Sequence, residues 1–143
     1  MYFSKVLTVV VAALAMAVPQ RGAAQARSYA PIDQYLMERG AEIALARSAA
    51  PAHIADAATV KVFTRTGYEI AERGTNGFVC MVLRSWGAPT YQPEPMIQLM
   101  YSAGLRAPIC FDPVAAATIA PYQEFKAKLG LEGRASGEIG PLV

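Results

Sequence analysis

The chain has 143 residues, of which 54% are hydrophobic and 17% charged, with a formal net charge of +2. That length suits one compact domain rather than two, and so small a charge argues against the basic surface that nucleic-acid binding requires.

Taken in chain order, Lys5 precedes a run from position 6 to 18 that is apolar except for Thr8. Pro19, Gln20 and Arg21 follow, and then Ala24-Gln25-Ala26, small residues that suit a signal peptidase. This layout predicts a secretory signal peptide over residues 1–26, cleaved before Arg27, with a cut after Ala24 as the alternative. These thirteen residues, 6–18, extend about 20 Å as a helix, short of the roughly 30 Å hydrocarbon core, so an uncleaved anchor is the weaker reading. No later stretch is long enough to span a membrane. Loss of Lys5 and Arg21 lowers Lys+Arg from 13 to 11, equal to the 11 Asp+Glu, so the mature chain is neutral. No nucleic-acid partner is expected.

Residues 29–32 read as an extended lead-in to a helix capped by Asp33 and running to about Ala49, where Pro51 ends it. Leu36, Ile43, Ala44 and Leu45 form its apolar stripe, and Glu38, Arg39, Glu42 and Arg47 its charged face. Gly40 is expected to weaken its middle. From Ala58 the period becomes alternating: residues 59–64 form one strand, 68–73 a second and 78–84 a third, the last apolar enough to be central. The Asn76-Gly77 pair suits a type I′ turn joining the second and third strands. That register sets Ile70 opposite Leu83 and Arg73 opposite Cys80, with Tyr68, Ile70, Val79, Met81 and Leu83 on one side of the sheet.

Residues 86–95 are rich in turn formers. Met96 to Tyr101 suits a short helix stopped by Gly104, and Pro108 to Phe111 is extended. Asp112 with Pro113 opens a final helix in a favoured way. It carries Val114, Thr118, Tyr122, Phe125 and Leu129 at helical spacing, is kinked or split by Pro121, and stops at Gly130. The glycine-rich remainder has no periodicity and is expected to be a disordered tail, residues 131–143. The fold class is α+β: a small three-stranded antiparallel meander, covered on one face by two to three helices, as a single domain over residues 27–130.

Few residues suggest chemistry. Cys80 and Cys110 both fall in the mature part, and export makes a bridge between them the natural reading, with two buried thiols as the alternative. Closing a loop of about thirty residues contributes roughly 3–4 kcal/mol in the chain-entropy picture. Metal-site spacings are absent, so no metal or cofactor is expected. Met96 and Met100, four apart, suit a soft copper ion, but packing against the sheet is the stronger reading. Glu69 and Glu72 read as solvated. Neither a Gly-x-Ser-x-Gly elbow nor a phosphate-binding glycine loop occurs.

The sole histidine, His53, would need a carboxylate such as Asp56 to serve an exported hydrolase. Trp86, with Tyr91 in the loop beyond it, is the candidate ligand surface, weighed against a plain core role for the indole.

Three segments carry a resemblance: residues 43–51, Gly74-Thr75-Asn76-Gly77-Phe78-Val79-Cys80, and Pro108-Ile109-Cys110-Phe111-Asp112. Together they resemble a family of exported bacterial proteins with this cysteine pair and no established activity, over most of residues 38–130. The resemblance implies export and paired cysteines and carries no catalytic residue. Relatives in that family run longer, with a histidine-rich segment after the last helix, which implies incomplete burial of that helix here. The resulting expectation is an exported, disulfide-stapled domain with a binding or structural role in the bacterial envelope or outside it. An exported enzyme using His53 is the alternative.

Overall fold

The computed structural model describes residues 28–87 and 96–142. The segment read as a signal peptide, residues 1–26, lies outside the described residues, as does Tyr91. No helix among the described residues is long and apolar enough to cross a membrane.

Residues 28–37 form a strap with one 3-10 turn at Ile32–Gln34, and helix α1 then covers Arg39–Arg47. The start is later than Asp33 because Glu38 supplies the cap: its carboxylate accepts from Gly40 N at 2.9 Å and Ala41 N at 2.8 Å. Asp33 pairs with Arg65 instead. Gly40 therefore sits in the first turn, where its helix penalty matters little. A one-turn helix, α2 (Ala52–Ala55), follows Pro51.

Strands β1 (Thr59–Thr64), β2 (Gly67–Glu72), β3 (Val79–Leu83) and β4 (Ala107–Phe111) form one sheet in the order β2-β1-β3-β4. The sheet is thus four-stranded and mixed rather than a three-stranded antiparallel meander. β1 pairs antiparallel with β2 and parallel with β3, and β3 pairs antiparallel with β4. As its apolar run implies, β3 is central.

The expected hairpin between β2 and β3 does not form. Ile70 lies opposite Lys61 rather than Leu83, and Cys80 is flanked by Val60 and Cys110 rather than facing Arg73. A type I′ turn needs positive φ at both central residues. Gly77 has φ +78°, but among the described residues no non-glycine has positive φ, Asn76 included. The Asn76 side chain is used otherwise: Nδ2 donates to Ile54 O at 2.8 Å and Oδ1 accepts from Phe78 N at 3.0 Å.

The connection instead crosses the start of β1. Thr75 N donates to Ala57 O, and Gly74 N to Thr59 Oγ1. A Cβ on Gly74 would lie 2.2 Å from the Ala58 carbonyl carbon, so only glycine lets the two backbones pass.

Helix α3 spans Pro113–Leu131, with the Asp112 side chain accepting from Ala115 N at 2.8 Å and Pro113 in the first turn. It continues through Pro121 without splitting. Ala117 and Pro121 both face solvent, where water can satisfy the carbonyl that proline leaves without a donor. Nor does Gly130 end it. A Schellman motif does so three residues later, with Gly133 at φ +77°, Gly133 N donating to Gly130 O and Arg134 N to Leu129 O.

The segment expected to be a structureless tail forms α4 (Ser136–Ile139) and a 3-10 turn, Gly140–Leu142, with Ile139 fully buried.

The two long helices lie on opposite faces of the sheet instead of sharing one. Ala46 of α1 packs with Val60, Cys80 and Val82, while Ala120 of α3 packs with Met81 and Phe111. Strand alternation accounts for the division, since residues 80 and 82 point one way and 81 the other. Outward, α3 leaves Val114, Ile119, Tyr122 and Phe125 exposed.

Candidate functional site

Cys80 and Cys110 stand directly opposite one another on β3 and β4, Cα to Cα 4.0 Å, and are joined as a disulfide. The bridge ties the central strand to an edge strand and closes the connection that contains Trp86 and the residues up to β4.

At the far end of β3 the chain places Arg84, Ser85 and Trp86 inside the molecule. Arg84 is buried because its donors are met: Nε to Tyr35 O at 2.7 Å, Nη1 to Val82 O at 2.6 Å and Nη2 to Glu42 Oε1 at 2.8 Å. Glu42, also buried, accepts in addition from Phe63 N at 3.0 Å. A buried ion pair is tolerated only when its remaining groups are satisfied in this way. Its consequence here is positional, since the guanidinium holds the strap at Tyr35. Arg106 Nη2 adds a second tie, to Gln34 O at 3.0 Å.

The strap thereby builds an aromatic cluster around the only tryptophan in the sequence. Tyr35 stacks on Trp86 at 4.4 Å between ring centroids and 22° between planes. Phe63 lies 5.4 Å away, and Tyr29 approaches edge-on at 5.6 Å. From α3, Gly130 presses against the five-membered ring of the indole: a Cβ there would stand 2.3 Å from both Cδ1 and Nε1.

Tyr29, Ala30, Ile32, Tyr35 and Trp86, with Gly130, Leu131 and Gly133 at the end of α3, line a partly open pocket of about 160 Å³. Trp86 Nε1 and Tyr29 Oη are buried and complete no hydrogen bond of good geometry, although they are neighbours. Burial first, then the nearby Tyr101 and Tyr35 phenols, raises the Tyr29 pKa. Burial likewise raises that of Tyr35. The phenols lining the pocket are therefore neutral at physiological pH.

The other sequence candidates do not converge. His53 is exposed on α2 and makes no hydrogen bond or ion pair among the described residues, and Asp56 is exposed nearby, so no histidine–carboxylate couple is assembled. Met100 is buried, which removes the solvent-facing thioether pair that copper binding by Met96 and Met100 needs. Glu69 and Glu72 form separate ion pairs with Arg39 and Arg47. Among the described residues no group of three or more His, Cys, Asp or Glu side chains is placed to hold a metal.

Tyr29, Tyr35, Gly130 and Gly133 were not legible as site residues. They are far apart in sequence and follow no shared spacing, so only Trp86 pointed to this place. No protein-family model matches the chain, and no curated protein or solved structure shows significant similarity to it.

Proposed function

We propose that this protein is exported, loses residues 1–26, and acts in the bacterial periplasm or outside the cell as a disulfide-stapled binding domain whose site is the Trp86 pocket. One observation carries the reading: a pocket of about 160 Å³ is walled by aromatic rings and holds two buried polar atoms, Trp86 Nε1 and Tyr29 Oη, that complete no well-formed hydrogen bond. Pockets that bind small molecules combine such apolar walls with a few placed polar groups. The Cys80–Cys110 bridge supports the localisation, since a structural disulfide persists in oxidising compartments.

Two measurements test the proposal. Intact mass of the protein from the exported fraction, with and without reduction before alkylation, should give a chain beginning at Arg27 or Gln25 whose thiols react only after reduction. A full-length mass with two freely alkylated thiols refutes export. A small-molecule screen read by the fluorescence of Trp86, the sole tryptophan, should yield saturable binders. Absence of any binder, together with a deletion strain showing no envelope phenotype, refutes the binding role.

A further inference from the structure

The pocket's size, charge and orphaned donor narrow what it can hold, provided that it is the binding site. Its volume of about 160 Å³ is close to that of a dry protein cavity of roughly 150 Å³ that takes up benzene. One ring with a short substituent fits; a fused polycycle or a peptide does not.

The charge pattern excludes anions and gives a cation no charged partner. Apart from tyrosines kept neutral by burial, no ionisable side chain lines the pocket. Leu131 and Gly133 bring in the C-terminal end of the 19-residue α3, whose partial negative charge repels anions. The same helix end favours a cation, but no carboxylate lines the pocket to pair with one, and a cation–π contact would need an open aromatic face. Tyr35 is already stacked on the indole and Gly130 is pressed against its five-membered ring, so Trp86 offers its edge rather than a face.

That edge carries Nε1, a group that can only donate. Trp86 is 1% exposed, and its Nε1 completes no well-formed hydrogen bond, although Tyr29 Oη is beside it. Tyr29 Oη, its buried neighbour, completes no well-formed hydrogen bond either and can donate to the same acceptor. Buried donors of this kind favour a ligand that supplies an acceptor and penalise one that does not.

We propose that the Trp86 pocket takes a small neutral single-ring compound bearing a hydrogen-bond acceptor such as a carbonyl, gripped by Trp86 Nε1 and Tyr29 Oη. The inference deepens the binding role proposed above and depends on it.

The test uses ¹⁵N-labelled protein as isolated, in which one tryptophan gives one indole N–H resonance. Acetophenone and isopropylbenzene, similar in shape but with and without an acceptor, are titrated in parallel. Acetophenone should move the indole proton downfield in a saturable way and bind about tenfold more tightly. Tyr29→Phe, which removes only a hydroxyl, should weaken acetophenone several-fold and leave isopropylbenzene unchanged.

Equal affinity of the two probes, with no downfield movement, overturns the acceptor inference while leaving the pocket a binding site. If neither probe perturbs Trp86 or the Gly130 and Gly133 amides, both the inference and the pocket's role as the binding site fall.

Discussion

Gly130→Ala sets two known effects of a methyl group against each other. In the last turn of α3 the substitution should favour the helix by up to about 1 kcal/mol, because alanine loses less backbone freedom on folding than glycine. The added Cβ, however, would stand 2.3 Å from Trp86 Cδ1 and Nε1 and 2.5 Å from Cε2. Neither side can give easily. The Cβ is fixed to a helix backbone, and the indole is 1% exposed and held by Tyr35 and Phe63. Overpacking of this kind costs about 1–3 kcal/mol, and more where the surroundings are rigid. The upper part of that range applies here, so after the helix gain the net loss is about 2 kcal/mol. With a urea dependence of about 1–3 kcal/mol per molar, the unfolding midpoint should fall by roughly 1 M.

Trp86 fluorescence is the natural readout, since it reports unfolding and the local environment together. Gly137→Ala is the control. It lies in α4, where a Cβ would meet nothing within 4 Å, and it should be neutral or stabilising by up to about 1 kcal/mol. If Gly130→Ala is as stable as the parent or more so, the close contact between α3 and the indole is refuted, and with it the geometry of the pocket wall.

Replacing both cysteines, Cys80→Ala with Cys110→Ala, should cost about 3–4 kcal/mol in urea unfolding; a loss below about 1 kcal/mol would show that the bridge does little to restrict the unfolded chain. Glu42→Leu leaves the Arg84 guanidinium buried without its carboxylate and should cost about 3–5 kcal/mol, whereas Glu42→Leu with Arg84→Met should recover much of that loss. A double-mutant cycle showing simple additivity would contradict the pairing. Burial raises the folded-state pKa of Tyr29, Tyr35 and Tyr68. Unfolded tyrosine titrates near pH 10, so this contribution is fully present below about pH 10 and is lost as pH rises from there through the raised folded values. Urea midpoints should therefore drop as pH rises above about 10, with fewer than all of the tyrosines ionising while the protein remains folded. An unchanged midpoint would count against the burial.

Local signals were reliable where the interaction they describe is itself local. Alternation located β1 at residues 59–64, and Asp112-Pro113 marked the start of α3, because a strand's face and a helix cap are each decided by a few neighbouring residues. Two cysteines in a chain with an export-like leader were enough to suggest the bridge. Asn76-Gly77 misled for the same reason that it attracted notice: the pair suits a tight hairpin, but its side-chain bonds to Ile54 and Phe78 serve a crossing over β1 equally well. Nothing within six residues of it distinguishes the two outcomes.

The sequence by itself determined the class of the domain, the position of the first three strands and the cap of α3, and it favoured the pairing of the two cysteines. Each follows from periodicity, from capping chemistry or from there being a single choice of partner. Only the tertiary structure decided that β3 lies between β1 and β4, that α1 and α3 occupy opposite faces, and that Tyr29, Tyr35, Trp86 and Gly130 meet around one pocket. Those features depend on close approach between residues up to about a hundred positions apart. Gly74 admits one backbone past another, Arg84 finds its acceptors on the strap and on α1, and Gly130 leaves room for an indole. Whether such approaches fit is settled by packing, which a local pattern does not encode.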